Sequence, residues 1–430
     1  MRILLASSQA YGLWFGLRLM REGHSFDWFV IEEAERKLLN NCLKGIIPPP
    51  LEDVPDFAQY DLVLFDSTGH GELADEARES TPTIGDSTLA SRMEDDRLFG
   101  IQVMESSGIE VPKYAVFKTP DEARAFIEEN PKRYVYKPFE PPEETEHQES
   151  DCTYVSESAE DLLRCLDKLF AKALEQPFLL QELVEGTEVS TEGFFDGHTF
   201  SLINHTFEEK KFMSGCYGPN TGCSGNLIVK PNGPNRLVNA SLLKLVPFLR
   251  AAGFRGPLDI NTIVNNHHVY GLEFTSRFGY DSDPTLFSMM DSELGRFFFE
   301  LATGPVDHDI EPRIACNFAA SARYTIPPYP TEIPGKHPKG LPIKGINIED
   351  AWRDWYLYDV QAEPDGEMLS TAGITGFVCA PIARGHTPEA AWCGVERLTK
   401  DFKVPNLQCR DDLKEATCER LCEVQELGWI

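Results

Sequence analysis

Glu273, Thr275 and Arg277 alternate along Gly271-Leu272-Glu273-Phe274-Thr275-Ser276-Arg277-Phe278-Gly279. On a β-strand they share one face, while Leu272, Phe274 and Phe278 take the other. Just upstream, Leu258-Asp259-Ile260-Asn261-Thr262-Ile263-Val264 repeats the period of two, with Asn265-Asn266-His267 as a turn signal between the runs. The pattern predicts a β-hairpin. A three-residue turn sets Asp259 directly opposite Glu273. Two carboxylates so placed repel unless a cation lies between them, and a few carboxylates with water are how proteins hold Mg2+ against substrate phosphates. Arg277 follows on the same face, where positive charge stabilises a transferring phosphoryl group. The competing reading is a solvated sheet face with ordinary charges, and these residues alone leave both open.

Other residues suit the same chemistry. Lys137 ends the strand-like run Tyr134-Val135-Tyr136-Lys137-Pro138. A lysine on a half-buried strand calls for an anionic partner, either a nucleotide phosphate or a structural carboxylate. The segment Gln181 to Glu188 carries Glu182, Glu185 and Glu188 around a turn. Such a turn can receive an adenosine, with main-chain groups at the adenine edge and a carboxylate on the ribose hydroxyls. Gly218-Pro219-Asn220-Thr221-Gly222-Cys223-Ser224-Gly225 reads as a glycine-rich loop that lets backbone approach a ligand closely. Lys210-Lys211 adds positive charge upstream. Cys216 and Cys223 lack a neighbouring His or Asp for a nucleophilic pair and read as bystanders. Cys418 and Cys422 lie four apart on a predicted helix, but no further Cys or His cluster completes a zinc site.

In this order, Lys137, the Glu-rich turn, Gly218-Pro219-Asn220-Thr221-Gly222 and Glu273-Phe274-…-Arg277-Phe278-Gly279 resemble the ATP-grasp enzymes. Within them the chain is similar to the phosphoribosylamine–glycine ligases, almost end to end, with weaker echoes at Gly385-His386-Thr387 and Cys409-Arg410-Asp411-Asp412. The resemblance implies ATP and Mg2+ (or Mn2+) as cofactors, and a carboxylate such as glycine joined to an amine such as phosphoribosylamine in purine biosynthesis. Carried over, Arg97 and Lys137 bind ATP phosphates, Glu182, Leu183 and Val184 line the adenine, and Glu188 holds the ribose. Asn220 and Thr221 face the acceptor, Glu273 and Thr275 hold the metal, and Arg277 sits on the reacting phosphoryl and carboxylate groups. Asp259 joins the metal set from the hairpin geometry.

The chain departs from that family in four places. Phe139-Glu140-Pro141-Pro142-Glu143-Glu144 stands where a glycine-rich phosphate loop is expected, and Ser7-Ser8-Gln9-Ala10-Tyr11-Gly12 replaces the glycine-rich turn after the first strand. Thr275 replaces an asparagine, and Arg97 replaces a lysine. Two further readings therefore stay open: a ligase with a different amine acceptor, and a nucleotide-binding module without catalysis.

The elements that must position these residues are legible in outline. Strand and helix alternate over residues 1–90, with strands at Arg2 to Ala6, Ser25 to Ile31 and Asp61 to Phe65, which implies a small parallel sheet. Its ligand end lies near Ser7-Ser8-Gln9 and Asp66-Ser67-Thr68-Gly69. An ATP-grasp α+β unit is expected over 91–312 and a C-terminal α+β domain over 313–430. A helix is predicted from Glu94 to Ser107, a second capped by Thr119 with Pro120 at its first position, and a third from Ser158 to Leu174. The acidic stretch from Glu140 to Asp151 is expected to be mobile. The fold class is thus α/β, in three parts.

Asp and Glu number 69 against 40 Lys and Arg, giving a formal charge of −29. That balance disfavours nucleic acid or an anionic membrane as partner, because both require basic surface. Eleven cysteines without a Cys-x-x-Cys pair, no signal-like start and no long apolar run predict reduced thiols in a cytoplasm.

Overall fold

The computed structural model describes residues 1–139, 153–168, 177–304, 312–331, 333, 335–363, 366 and 368–430. The acidic segment Glu140 to Asp151 and the end of the predicted helix beyond Lys168 lie outside the described residues.

The first unit is the expected parallel sheet. Strands β1 (Arg2–Ser7), β2 (Ser25–Val30), β3 (Leu62–Phe65) and β4 (Thr83–Ile84) pair in the order β2-β1-β3-β4. Ile3, Leu4, Leu5 and Ala6 are fully buried, as a strand covered on both faces requires.

A smaller antiparallel sheet follows, built from β5 (Tyr114–Phe117), β6 (Tyr134–Pro138), β7 (Tyr154–Val155) and β8 (Phe178–Glu182) in the order β5-β8-β6-β7. The helices Pro120–Glu129 and Ala159–Lys168 belong to this unit and share its apolar cluster. Thr119 caps the first of them through its hydroxyl, as expected.

The third sheet has nine strands. It comprises β9 (Thr187–Phe195), β10 (Phe200–Met213), β11 (Tyr217–Val229), β12 (Gly256–Val264), β13 (Val269–Thr275), β14 (Phe318–Ala322) and β15 (Tyr324–Thr325), with β17 (Trp355–Leu357) and β20 (Phe377–Gly385). Its order is β13-β12-β9-β10-β11-β14-β20-β15, with β17 also paired to β20. Strands from the C-terminal third therefore extend the same sheet that the central segment begins. A three-stranded sheet of β16 (Lys339–Ile343), β18 (Val360–Ala362) and β19 (Leu369–Ala372) flanks it. The helix Pro388–Leu398 starts at the Thr387 cap, as its sequence predicts.

Registers sort the central strands into two faces. Glu188, Ser190 and Glu192 of β9, Thr206 and Glu208 of β10, Asp259 and Asn261 of β12, and Glu273 and Thr275 of β13 share one polar face. Leu258, Ile260 and Phe274 point the other way, into an apolar cluster with Leu242, Leu245 and Leu249.

Three expectations are corrected. The hairpin forms, but Asp259 pairs with Thr275, and the ladder partner of Glu273 is Asn261. The turn has four residues, closed by the Asn265 N–H on the His268 carbonyl at 3.1 Å, and a bulge between Asn261 and Thr262 adds another step. Gly271 sits at that irregularity. Its N–H donates to the Glu110 carbonyl at 2.8 Å, and a Cβ there would lie 2.5 Å from the Met104 sulfur. Second, the predicted helix from Glu94 to Ser107 is two helices, Thr88–Asp95 and Arg97–Ser106. Asp96 breaks between them and caps the second through its side chain, accepting from the Phe99 N–H. Third, Gly218 to Gly225 is not a loop but part of β11, in an irregular ladder against β10.

Candidate nucleotide and phosphoryl-transfer site

The smaller sheet and the polar face of the large sheet meet around Glu273. Asp96 ends one helix so that Arg97 opens the next. Its Nε donates to the Pro138 carbonyl at 3.2 Å on the small sheet, and its Nη1 reaches Glu273 Oε2 at 3.4 Å on the large one. Lys137, in the adjoining position on β6, is only 6 % exposed. Lys210 on β10 reaches Glu188 at 2.6 Å. Arg97, Lys137 and Lys210 thus converge on Glu273, with Glu188 completing the cluster.

The electrostatics follow from this crowding. Burial alone would raise the Glu273 carboxyl, but Lys137, Lys210 and Arg97 hold it down at about 2. Its side chain is still 45 % exposed, so the carboxylate faces the cleft with protein around it at longer range. Burial pushes the Lys137 ammonium down to about 8, against the pull of Glu273. Burial also opposes charge on Lys210, but Glu188, Glu273 and Glu208 outweigh it and raise the group well above its usual range. Arg97, Lys137 and Lys210 stand against Glu273, Glu188 and Glu208, and a divalent cation on the carboxylates would free these cations for a polyphosphate.

Arg277 lies just past the end of β13, which stops at Thr275, so it does not continue the strand face on which its sequence spacing puts it. Its Nε donates to Glu94 Oε1 at 3.0 Å, and its guanidinium sits 4.1 Å from the centre of the Tyr280 ring. Glu94 Oε2 also accepts the Ser276 N–H at 2.7 Å. Burial raises the Glu94 carboxyl, with Arg277 opposing it.

At the expected adenine segment, Glu182 pairs with Lys132 at 2.8 Å, and its N–H donates to the Lys113 carbonyl at 2.7 Å. The Leu183 N–H goes to the Arg133 carbonyl at 3.4 Å. Val184 is left as the residue of this segment whose main chain makes no hydrogen bond among the described residues. Asn220 lies opposite Lys211, and Thr221 donates to the Lys210 carbonyl at 3.2 Å.

Asp259 stands beside Thr275 on the cleft face. Its Oδ1 is buried without a hydrogen-bond partner, and burial with Glu192 and Glu208 raises its carboxyl well above the usual range. Among the described residues no cluster of His, Cys, Asp or Glu is placed to hold an ion unaided. Glu273, Thr275 and Asp259 are oxygen donors on one face of the sheet, the donor type that a hard divalent cation takes.

Sequence reasoning missed Glu94, which nothing in its own segment marks as the partner of Arg277. It also missed Glu208. The alternation in Glu208-Glu209-Lys210-Lys211 was the available signal, since it sends Glu208 and Lys210 to the cleft face and Glu209 to the other.

Residues 95–284 match the family described as phosphoribosylglycinamide synthetase, ATP-grasp (A) domain. This segment is an ATP-grasp domain. The chain is 24 % identical over 352 residues to phosphoribosylamine–glycine ligase of Rhodopirellula baltica, covering 77 % of each chain. Identity to the Streptomyces coelicolor ligase is 25 % over 342 residues, covering 76 % of this chain and 78 % of that one. The crystal structure of the Thermotoga maritima ligase superposes with a TM-score of 0.73 at 19 % identity, covering 96 % of this chain and all of that one. A biotin carboxylase of Campylobacter jejuni shares the fold more distantly, with a TM-score of 0.64 at 11 % identity over 98 % and 95 % of the two chains. ATP-grasp proteins use ATP and a divalent metal in general. Among the described residues no helix is long and apolar enough to cross a membrane.

The shift on Lys137 makes a sign-definite prediction. Its folded value of about 8 lies below the ordinary 10.5. The cost of holding it charged is fully present below pH 8 and fades as pH rises to 10.5, so this residue makes the free protein more stable across that window. Bound phosphates reverse the shift. Nucleotide binding is therefore expected to take up a proton above pH 8, and affinity to fall as pH rises further. Calorimetry at pH 8.5 in buffers of different ionisation heat measures the uptake, which Lys137→Met should abolish. Equal uptake in that variant would remove Lys137 from the phosphate site.

Proposed function

We propose that the chain is an ATP- and Mg2+-dependent carboxylate–amine ligase that forms an amide through an acyl phosphate, in the manner of phosphoribosylamine–glycine ligase of purine biosynthesis. Mn2+ is the natural substitute for the metal. The observation that carries this reading is the convergence of Arg97, Lys137 and Lys210 on Glu273 between two sheets.

In this reading residues 91–312 are the nucleotide-binding domain, between an N-terminal domain over 1–90 and a C-terminal domain over 313–430. Lys137 and Arg97 neutralise the triphosphate, Val184 with Glu182 and Leu183 borders the adenine, and Glu188 reaches the ribose. Glu273, Thr275 and Asp259 hold the cation, whose bound form neutralises phosphate charge. Arg277, fixed by Glu94, orients the carboxylate that attacks the γ-phosphate. Asn220 and Thr221 border the amine. Positioning and positive charge are what phosphoryl transfer requires of a protein, and no side-chain nucleophile is needed. The compartment is the cytoplasm.

The test is ADP release with Mg-ATP, glycine and freshly generated phosphoribosylamine, each omitted in turn. Release that needs every component is the expected result, and none above background would reject this substrate pair. A second reading keeps the ligation but changes the amine. It is favoured by the turn after β1, where the Ala10 N–H donates to Ser7 at 2.8 Å and the Gly12 N–H to Asp66 at 2.7 Å. Those donors are already occupied by the protein itself.

A further inference from the structure

Glu208 is a cleft-facing carboxylate to which phosphate binding gives no role. It lies on β10, with Asn226 of β11 as its ladder partner. The next residue, Glu209, points to the opposite face, where Arg410 reaches it at 3.0 Å and Arg420 at 3.1 Å. Arg410 also donates to the Lys211 carbonyl at 3.0 Å. These anchors from the C-terminal segment fix the strand so that Glu208 must face the cleft.

Its surroundings belong to the acceptor side. Asn226 Nδ2 donates to the Asp281 carbonyl at 3.1 Å. Asp281 forms an ion pair with Arg323, and Arg323 Nη1 donates to the Thr221 carbonyl at 2.9 Å. Glu208 thus shares one polar cluster with Thr221. It is half-buried, and among the described residues no hydrogen bond reaches its carboxylate. A carboxylate left without donors beside a substrate-binding segment is available to take a proton.

We propose that Glu208 is the general base that removes the proton from the acceptor amine as the amide forms. The inference rests on the ligase reading above and assigns a role within the same site. The amine lone pair attacks the acyl-phosphate carbon and the C–N bond forms. The C–O bond to phosphate breaks, and its electron pair leaves on the phosphate oxygen. One N–H proton passes to the Glu208 carboxylate, which later releases it to solvent.

Charge supports the assignment. Burial pushes the Glu208 carboxyl up to about 7, with Lys210 opposing and Asp281 assisting. Glu188 on β9 also raises it, and Arg323 on β14 lowers it. Asp259 on β12 and Cys223 on β11 face the same cluster. A base with a value near the working pH is the most effective kind, and loss of one typically costs on the order of 10²–10⁴-fold.

The test separates the two half-reactions. With Mg-ATP and glycine, hydroxylamine traps the acyl phosphate as a hydroxamate and is mostly unprotonated at neutral pH, so it needs little help from a base. With phosphoribosylamine in its place, the full reaction is read as amide. Glu208→Gln is expected to lose amide formation by about a hundredfold or more while its hydroxamate yield falls far less. The rise in wild-type rate with an apparent pKa near 7 should disappear, and Glu208→Asp should restore part of both rate and pH profile. Equal loss of both products, or full amide formation by Glu208→Gln, overturns the assignment. Wild-type hydroxamate without amide overturns it for this acceptor. Wild-type protein that yields neither product overturns the ligase reading, and the base with it.

Discussion

Glu273→Gln is expected to lower ADP release by on the order of 10²–10³-fold and to remove the Mg2+-dependence of stabilisation by an ATP analogue. The substitution keeps the side-chain shape and deletes only the charge. Lys210 retains Glu188 at 2.6 Å, and Arg97 retains the Pro138 carbonyl at 3.2 Å. Lys137 keeps only the weaker influence of Glu188, because Glu273 is the stronger of the two carboxylates that sustain its charge. Its ammonium should therefore fall below its value of about 8, so the variant loses metal affinity and phosphate charge together. Thermal melting with and without Mg2+ measures the first, and ADP release measures the turnover. The fold should survive, since this carboxylate is 45 % exposed and belongs to no apolar cluster. Wild-type turnover in the variant would take Glu273 out of the metal site.

How much of this site the sequence disclosed depends on the range of the interaction. Alternation along Leu258 to Val264 and along Gly271 to Gly279 gave the hairpin, because period two is a local property. The register was not local. It depends on a bulge where Gly271 meets Glu110 and Met104, residues far upstream in the chain. One extra turn residue and one bulge moved Asp259 from Glu273 to Thr275. The break at Asp96 was hidden by continuous helical periodicity, although an aspartate before Arg97 is a recognised capping residue. Glycines made Gly218 to Gly225 look like a loop, yet pairing with β10 and β14 overrides that preference. Lys137 was found because a lysine on an apolar strand is conspicuous by itself. Glu94 and Glu208 were not, because an acidic residue is ordinary until its neighbours are known.

The same distinction governs Arg277, which the sequence singled out without the residues that support it. Arg277→Lys is expected to cut kcat by on the order of 10²–10³-fold and to leave ATP binding nearly unchanged. The guanidinium is fixed by Glu94 at 3.0 Å, the Phe278 carbonyl at 3.3 Å and the Tyr280 ring at 4.1 Å. A lysine ammonium keeps the charge but offers no planar fork to span these partners at once. Burial already raises the Glu94 carboxyl, so a poorly paired Glu94 would take up a proton and release the new lysine from its position. The cost should therefore appear in the orientation of the reacting groups rather than in nucleotide affinity, which the proposed function assigns to Arg97, Lys137 and Val184 elsewhere in the cleft. Steady-state ADP release gives kcat, and the melting shift produced by an ATP analogue with Mg2+ reports binding. Glu94→Gln should reproduce a milder form of the same split, because it loosens the guanidinium without removing it. Parallel loss of binding and turnover in Arg277→Lys would assign this residue to the nucleotide instead of the reacting carboxylate.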